Sequence, residues 1–463
     1  MIERMVIWHH RRRLARLDQL LALDAAPGGF AAGEPPPRSG NDLEILIDGA
    51  EALPRMADAI DAAASHVHLA GWFFSPDFRL RPHGPDLRQL LADLSERVDV
   101  RVLCWAGSPV PLFHPDRRAA RELRKQLTRE SRVQCALDDL ERPMHCHHEK
   151  LLIVDDRVAF VGGIDLTNYS GLRFDSHEHP AREELGWHDA AGRIQGPAVQ
   201  DVAEHFRLRW HEVTGEALPP VNPPPATGDV EVQVVRTVPE KIYRGLPRGD
   251  FRILEAYRRA FGSAEKFIYL ENQFLWSPEL VAVLVEKLRH PPCDDFRLLI
   301  LLPAKPNDGN EDTRGQLALL IEADGGAGRM LACTVYQRGM DSAPVYVHAK
   351  IGIVDDRWLT IGSANLNEHS LFNDTEMNLV VLDESTARDV RLRLWAEHLD
   401  LPMRDLRVEP AVAVDTFWKP VAEEQLLRRQ QNLPPTHHLV RLPHVSRRSS
   451  VLLGPVNGLL VDG

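Results

Sequence analysis

The sequence predicts an α/β protein built from two copies of one unit. Apolar, strand-like runs alternate with helical patterns, such as those at residues 87–97 and 117–129, and this alternation is typical of helices that cover a sheet. The same order of elements occurs twice, because the stretch HVHLAGWFFSPD from residue 66 has a counterpart in KFIYLENQFLWSPE from residue 266. We therefore expect each half of the chain to form one such unit.

A longer repeat supports the duplication. His148 begins the sequence HEKLLIVDDRVAFVGGIDL, and His348, 200 residues later, begins HAKIGIVDDRWLTIGSANL. The copies share the histidine, the lysine, the whole Ile-Val-Asp-Asp-Arg stretch, one glycine and one leucine. Self-similarity at a fixed offset indicates an internal repeat, so we place the two repeats at about residues 41–214 and 229–402.

Three segments lie outside the repeats. Residues 215–228 are rich in proline and glycine, which predicts an extended, exposed linker. Residues 1–40 hold a predicted helix over about 2–23, for which packing on the domain is favoured over a membrane-surface position. The tail, residues 403–463, is predicted to be mostly irregular.

Composition and charge restrict the function. The net charge of −12 and the isoelectric point of about 6.0 have the wrong sign for a protein that coats nucleic acid. We therefore expect no nucleic-acid partner, although a local basic pocket would still permit nuclease chemistry. The oligomeric state cannot be predicted from this composition.

Cysteine usage and the N-terminal sequence bear on location. The five cysteines show no disulfide-framework spacing, which favours a reduced compartment. The basic residues 11–13 are not followed by a long apolar run, so neither a signal peptide nor a spanning helix is predicted. We expect a cytoplasmic or peripheral membrane protein.

The repeated histidine and lysine carry the predicted chemistry. Side chains alternate between the two faces of a strand, so His148 and Lys150 are expected to point the same way, as are His348 and Lys350. Two imidazoles and two ammonium groups around one cavity make an anion site with groups that titrate near neutral pH. Such a site suits attack on a phosphodiester, in which one histidine attacks phosphorus and the other protonates the leaving oxygen.

The repeated aspartates have a different predicted role. Asp155 and Asp355 lie an odd number of residues after their histidines and begin an Asp-Asp-Arg stretch that is typical of a turn between strands. We therefore interpret these two motif residues as architectural.

After this turn the chain is expected to return beside the histidine. The return would bring the backbone N–H groups around Gly163 and the side chain of Asp165 into the cavity. The equivalent residues in the second copy are Ser363 and Asn365. Together with the lysines, these groups would bind the non-bridging oxygens of a phosphate.

No metal or cofactor is expected. The stretch His145-Cys146-His147-His148 could suggest zinc, but a structural zinc site normally needs a second pair of ligands at a defined spacing, and none is visible in the sequence. The lysines can also fill the charge-stabilising role that metals often take.

The chain resembles the phospholipase D superfamily over almost all of residues 41–402, on the strength of the two motifs. The pattern His-x-Lys, four residues, Asp, six residues, and then Gly-Gly or Gly-Ser is met in both copies. The stretches GGIDL, WHD, HF, RW and IYLENQF, which begin at residues 162, 187, 205, 209 and 268, are similar to those of phosphatidylcholine-type phospholipases D.

The resemblance has implications for fold and mechanism. It implies two mixed β-sheets, flanked by helices and packed side by side, with the active site at the pseudo-twofold interface. It also implies a ping-pong mechanism through a phosphohistidine, with His148 as nucleophile, and an acidic residue behind each histidine, for which the matching positions are Asp189 and Glu376. One departure is Asp165, which stands where many members have asparagine.

Two further sites are predicted around the cavity. Gln273 follows an apolar strand at the end where sites collect in such sheets, and it either contacts substrate or only caps the sheet. Leu112 and Phe113 lie among prolines in a predicted loop, and we expect them to border the pocket and contact lipid.

The expected function is that of a phospholipid-directed enzyme that acts at a membrane surface. It would release a head group with water or transfer the phosphatidyl group to an alcohol. A cardiolipin synthase-like transferase is the nearest alternative, and a nuclease on the same scaffold is a weaker one. A lipid-binding scaffold with an inactive site is disfavoured, because both His-Lys pairs are intact.

Overall fold

A computed structural model describes residues 2–110, 114–143, 145–305, 310–338 and 342–443, with the backbone alone for residues 2–4 and 310–312. Leu112 and Phe113, for which we predict lipid contact, lie outside the described residues, as does the end of the tail from residue 444.

The α-helices of the described residues are α1 (Ile2–Leu17), α2 (Leu21–Asp24), α3 (Asp48–Asp61), α4 (Leu87–Ser95), α5 (Arg117–Thr128), α6 (Val199–Thr214), α7 (Arg252–Ser263), α8 (Pro278–Arg289), α9 (Asn310–Asp324), α10 (Glu368–Phe372), α11 (Glu384–Leu399), α12 (Pro410–Ala413) and α13 (Lys419–Gln430).

The strands are β1 (Arg38–Ile47), β2 (His66–Gly71), β3 (Asp99–Trp105), β4 (Gln134–Asp138), β5 (Leu151–Val154), β6 (Val158–Gly162), β7 (Trp187–His188), β8 (Ala190–Gln195), β9 (Val230–Val238), β10 (Asp250–Phe251), β11 (Phe267–Glu271), β12 (Arg297–Leu301), β13 (Met330–Val335), β14 (Tyr346–Val347), β15 (Ile351–Val354), β16 (Trp358–Gly362), β17 (Glu376–Leu382) and β18 (Leu439–Arg441).

The two predicted sheets are the two halves of one mixed sheet. The first half has the strand order β1-β8-β6-β5-β2-β3-β4, and the second has β9-β17-β16-β15-β11-β12-β13-β18. In each half three strands pair in parallel, β2-β3-β4 and β11-β12-β13, and the strands nearer the centre pair antiparallel. The halves join where β1 meets β9, through the pairs Arg38↔Val232 and Asn41↔Val230. The mixed α/β architecture agrees with the prediction. The sequence did not predict that the two sheets join edge to edge into one.

Helices cover both faces of the sheet and bury separate cores. One core belongs to the first half and includes Leu53 and Leu91, and a second belongs to the second half and includes Phe261. A third core contains residues of both halves, among them Phe206 on α6 and Trp395 on α11. Burial of this shared apolar surface, in addition to the joint between β1 and β9, holds the halves together.

The observed elements lie close to the predicted repeat boundaries. The first half ends with α6 at Thr214, the second begins with β9 at Val230, and residues 215–229 contain no helix or strand. The division at 41–214 and 229–402 remains a prediction.

The tail is more regular than predicted. Residues 403–443 contain α12, α13 and the strand β18, which extends the sheet by pairing with β13. Trp418 is buried with its ring centroid 5.4 Å from that of Trp395. The prediction of mostly irregular structure was therefore wrong for these residues, because the tail buries its own apolar side chains against α11.

The N-terminal helix packs on the second half, as favoured by the sequence. Leu14 is fully buried, and His10 bonds Glu279 on α8 at 2.6 Å. The predicted helix over residues 2–23 is interrupted after Leu17, where Asp18 has a φ of 57°. Across the described residues, no helix has the length and apolar character needed to span a membrane.

Asp155 and Asp355 fix the turns that follow β5 and β15. The carboxylate of Asp155 accepts the N–H groups of Ala64, Ser65 and His66 at 2.7–2.9 Å. Asp355 accepts three successive N–H groups at the same place in the other half, those of residues 265, 266 and 267. Both aspartates thus connect a turn to the start of a central strand, in agreement with the architectural interpretation.

We expect Asp155→Ala to lower the free energy of unfolding by roughly 2–4 kcal/mol, because backbone donors lose a charged acceptor. Burial would raise the pKa of Asp155, but the backbone donors outweigh it and lower the pKa. The stabilisation is therefore present above the unfolded pKa of about 3.9 and is lost as the pH falls through the lower folded pKa.

Denaturant unfolding at pH 7 and pH 3 would measure this difference. Asp139→Ala is the matched control, because Asp139 is exposed and pairs with Arg117 at 3.4 Å. Equal stability of the two variants at pH 7 would contradict an architectural role for Asp155.

Candidate active site

The two motif histidines meet at the interface between the halves. The ring centroids of His148 and His348 are 6.4 Å apart, with an angle of 69° between the ring planes. Both side chains are buried. The structure therefore brings the two copies of the motif together at the interface between the halves.

The histidine and lysine of each motif lie just before a strand and not within it. Strand β5 begins at Leu151 and β15 at Ile351. The N–H groups of His148 and Glu149 donate to the carbonyl of Thr375 instead. The prediction that these residues belong to the strand was wrong, because their backbone pairs with the other half of the protein.

The second motif is held in the same way. The N–H groups of His348 and Ala349 donate to the carbonyl of His188 at 2.8 and 3.1 Å. Immediately before this point β14 pairs in parallel with β7, with Tyr346 opposite Trp187. Each motif is therefore attached to the opposite half by main-chain hydrogen bonds.

The alternation of side chains survives in this extended segment. Lys150 and His148 face the site, whereas Glu149 between them points into the interior and accepts hydrogen bonds from Arg209 and from His205 at 2.8 Å. His205 and Arg209 are the first residues of the stretches HF and RW that were noted in the sequence. Their contacts with Glu149 give these two stretches a structural role.

The acidic partner of each histidine comes from the other half. His148 Nδ1 lies 2.9 Å from a carboxylate oxygen of Glu376, and His348 Nδ1 lies 2.6 Å from one of Asp189. A carboxylate at Nδ1 sets the orientation and tautomer of an imidazole and directs Nε2 away from it. Asp189 and Glu376 thus lie behind the histidines, as the resemblance implies. The structure adds that each carboxylate contacts the histidine of the opposite half.

Gly163 makes room for one of these carboxylates. A Cβ atom at residue 163 would lie 2.1 Å from Oδ1 of Asp189, a distance that no real contact allows. The N–H of Gly163 donates to the carbonyl of Ala190 at 3.0 Å. The expectation that this N–H is presented to the cavity is therefore wrong, because the sheet already uses it.

Ser363 supports the other carboxylate. Its hydroxyl donates to Glu376, which also accepts a hydrogen bond from the hydroxyl of Ser370 at 2.5 Å. The N–H of Ser363 donates to the carbonyl of Met377 at 3.0 Å. Gly163 and Ser363 are equivalent in the repeat, and both act on the carboxylate behind a histidine.

The two lysines have different surroundings. Lys150 forms an ion pair with Asp165 at 3.0 Å, whereas Lys350 donates to the neutral amide oxygen of Gln273 at 3.2 Å. Asn365, the counterpart of Asp165, also donates to that oxygen at 3.3 Å. Gln273 therefore belongs to the site, where it orders two of its donors.

Burial and positive charge control protonation. Burial, followed by Lys350, Lys150 and Arg173, lowers the pKa of His348 well below its usual value. Burial raises the pKa of Asp189 to about 6 and that of Glu376 well above its usual value. His348 is consequently neutral at pH 7 before an anion enters the site.

Sequence reasoning missed two neighbours of His348, Arg173 and Tyr346, and assigned no role to Trp187 of the WHD stretch. The guanidinium of Arg173 lies 3.4 Å from the ring centroid of Trp187, which is 4.4 Å from that of His348. The ring of Tyr346 stacks 6.2 Å from His348. Tyr346 could have been found, because it lies two residues before His348 on the same face of an extended segment, but no spacing rule leads to Arg173.

Known proteins resemble this chain in sequence. A family model described as a cardiolipin synthase, phospholipase D-like domain matches residues 257–396. Phospholipase D A of Dictyostelium discoideum is 25% identical over 79% of this chain and 36% of its own length. The major cardiolipin synthase of Bacillus subtilis is 26% identical over 75% of this chain and 67% of its own length. The chain is therefore similar to proteins of the phospholipase D superfamily over most of its length.

A solved structure also resembles this chain in its fold. The phosphatidylserine synthase of Haemophilus influenzae superposes with a TM-score of 0.53 at 14% identity, covering 82% of this chain and 89% of the other. That similarity concerns the fold. The chain spans between about a third and a half of the length of the first curated phospholipases D that it matches.

We expect Gly163→Ala to displace Asp189 from His348. The pKa of His348 should fall further, because the imidazolium loses its carboxylate, and overpacking should cost about 1–3 kcal/mol of stability. Titration of the ¹⁵N-labelled imidazoles by NMR would measure the shift.

Gly262→Ala provides the control, because a Cβ there would make ordinary contacts of 3.4 Å or more, with Pro27. An unchanged titration of His348 in Gly163→Ala would contradict the role assigned to Gly163.

Proposed function

We propose that this protein is a phospholipase D-type phosphodiesterase, which hydrolyses or transfers the phosphatidyl group of glycerophospholipids through a phosphohistidine intermediate. The observation that carries the proposal is the pair of histidines 6.4 Å apart, each with Nδ1 bonded to a carboxylate of the opposite half. One phosphodiester between the rings can contact both.

The first step forms the covalent intermediate. Nε2 of His148 attacks phosphorus, the bond from phosphorus to the head-group oxygen breaks, and His348 donates a proton to that oxygen. Glu376 stabilises the positive charge that develops on His148. The choice of His148 as nucleophile follows the order of the motifs in the superfamily.

The proton on His348 is supplied together with the substrate. Lys150, Lys350 and Arg173 lower the pKa of this histidine. A phosphodiester anion that binds to the same cations offsets their charge, so the pKa of His348 rises when the anion is present. Protonation thus accompanies binding, and Asp189 holds the imidazolium that results.

The second step regenerates the enzyme. Water or an alcohol attacks the phosphohistidine, His348 accepts the proton of the attacking oxygen, and the bond between phosphorus and His148 breaks. Lys150, Lys350 and Asn365 bind the non-bridging oxygens in both steps, where negative charge has to be stabilised. Hydrolysis and transfer differ only in the acceptor.

The phospholipid substrate is supported by the names of the relatives, which include phospholipases D and a cardiolipin synthase. Transfer to a lipid alcohol, as in a cardiolipin synthase, is the second candidate, because the matching family model carries that description. The net charge of −12 disfavours a nuclease.

Activity should require both histidines. We expect His148→Asn and His348→Asn each to lower the turnover of phosphatidylcholine or phosphatidylglycerol by about a thousandfold or more, since the two act as one unit. With a primary alcohol present, the wild type should form the phosphatidyl alcohol, and His177→Asn, at an exposed histidine, should keep full activity.

DNA in a parallel assay separates the classes of substrate. Activity that survives in either histidine variant would refute the shared site, and cleavage of DNA alone would favour the nuclease. After acid quenching of the wild type with substrate, mass spectrometry should find the phosphoryl group on a peptide containing His148; a label on His348 instead would reverse the two roles.

We also propose that α1 contacts the membrane surface. Met5 and Trp8 on α1 are 64% and 57% exposed. Helix α1 contacts α10, because His10 Nε2 lies 3.0 Å from a carboxylate oxygen of Glu368. Helix α10 also carries Ser370, whose hydroxyl donates a hydrogen bond to Glu376. The exposed apolar side chains therefore lie on a helix that packs directly beside the site.

A double variant Met5→Ser, Trp8→Ser should bind vesicles of phosphatidylcholine and phosphatidylglycerol at least about tenfold more weakly. Each large apolar side chain contributes about 1.5–3 kcal/mol when fully buried, and partial insertion of the two would give part of that sum. Cosedimentation would measure binding. Leu427→Ser, at a leucine on α13 that is 51% exposed, is the control, and equal binding by both variants would contradict the proposal.

A further inference from the structure

A second cluster of histidine and carboxylate side chains lies beside the site and takes no part in the proposed reaction. It consists of His145 from the first half and of His369 and Asp374 from the second. One imidazole or carboxylate atom of each residue lies within 4.8 Å of the others. The three come together because the segment that leads to His148 pairs with the segment that leads to Glu376.

The backbone holds these three side chains in place. The N–H of Cys146 donates to Oδ1 of Asp374 at 2.9 Å, and the N–H of Thr375 donates to the carbonyl of Cys146 at 3.2 Å. The N–H of Asp374 donates to the carbonyl of His369 at 2.9 Å. The positions of the ligands are thus set before any ion arrives.

The distances fit a tetrahedral cation. Nδ1 of His145 lies 3.0 Å from Nδ1 of His369 and 3.4 Å from Oδ1 of Asp374. For zinc bonds of about 2.0–2.1 Å, two ligands of a tetrahedral site are separated by about 3.3–3.4 Å. Small side-chain shifts would therefore bring all three atoms onto one ion.

The contacts within the cluster also favour a cation. The two Nδ1 atoms, 3.0 Å apart, share one hydrogen bond, in which one nitrogen presents its lone pair to the other. Asp374 is fully buried, and its Oδ2 has no hydrogen-bond partner among the described residues. A divalent ion would bind both nitrogens and neutralise this carboxylate.

Two other clusters of histidine and carboxylate side chains already contain close ion pairs. In the interior, His179 lies between Asp175 and Glu397, with a carboxylate oxygen 3.2 Å from each ring nitrogen. Near the surface, Asp156 beside His66 accepts two hydrogen bonds from the guanidinium of Arg207. In these clusters cations of the protein already bind the carboxylates.

We propose that His145, His369 and Asp374 bind a divalent transition-metal ion, for which zinc has the fitting ligand preference. His145 is partly exposed, so the ion can enter from solvent, and the fourth ligand is water. The ion links the two halves at the segments that carry His148 and Glu376. The sequence could not reveal this site, because one ligand comes from the first repeat and two from the second.

Metal binding by the untagged protein, after treatment with a chelator, tests the proposal. We expect about one zinc per chain by calorimetry, and a raised melting temperature when zinc is present. Cobalt in place of zinc should give the visible absorption of a tetrahedral site. The variants His145→Gln and Asp374→Asn should bind at least about a hundredfold more weakly.

His66→Gln is the matched control, because it changes the other partly exposed histidine cluster and should retain binding. Circular dichroism and the melting temperature without metal would establish that the variants are folded. X-ray absorption of the zinc-loaded wild type needs no variant and should show two imidazoles with oxygen ligands. Absence of binding in the wild type, retained binding in His145→Gln, or a different ligand set would overturn the proposal.

Discussion

The site depends on the exchange of carboxylates between the two halves. His148 is held by Glu376 and His348 by Asp189, so neither histidine is oriented by its own repeat. The main-chain bonds from each motif to Thr375 or His188 set the separation that this exchange requires. The joint between β1 and β9 and the core shared by α6 and α11 keep the two surfaces in register.

Buried ion networks behind the motifs make this arrangement possible. Burial alone would raise the pKa of Glu149, but Arg209 and His205 hold it at about 2. Behind the second motif, Glu271 accepts hydrogen bonds from His188 and His398. Removal of one partner from such a buried pair costs about 3–5 kcal/mol, so these side chains fix the backbone that presents the histidines.

The repeats have diverged where the chemistry requires it. The ion pair with Asp165 offsets the charge of Lys150, whereas Lys350 donates to the neutral amide of Gln273. The carboxylates also differ, since Glu376 accepts hydrogen bonds from two serine hydroxyls and Asp189 accepts one from the N–H of Ala190. Two imidazoles in unequal surroundings suit a nucleophile and an acid.

Much of this could be predicted from the sequence, because the repeat is strong. The offset between His148 and His348 predicts the duplication, and the Asp-Asp-Arg stretch predicts the turn at Asp155. The start of β5 at Leu151 could not be predicted. The alternation of side chains along an extended segment indicates which residues share a face, but not which strand the backbone pairs with. The exchange of Asp189 and Glu376 and the position of Arg173 depend on contacts between segments far apart in sequence.

The exchanged carboxylates have a consequence for any attempt to divide the protein. A cut within residues 215–228 would separate two fragments that each retain a histidine, a lysine and an acid. In each fragment, however, the acid is the one that orients the histidine of the other fragment. Each fragment alone would therefore lack the carboxylate that orients its own histidine. A complete imidazole–carboxylate pair would form only when the two fragments associate.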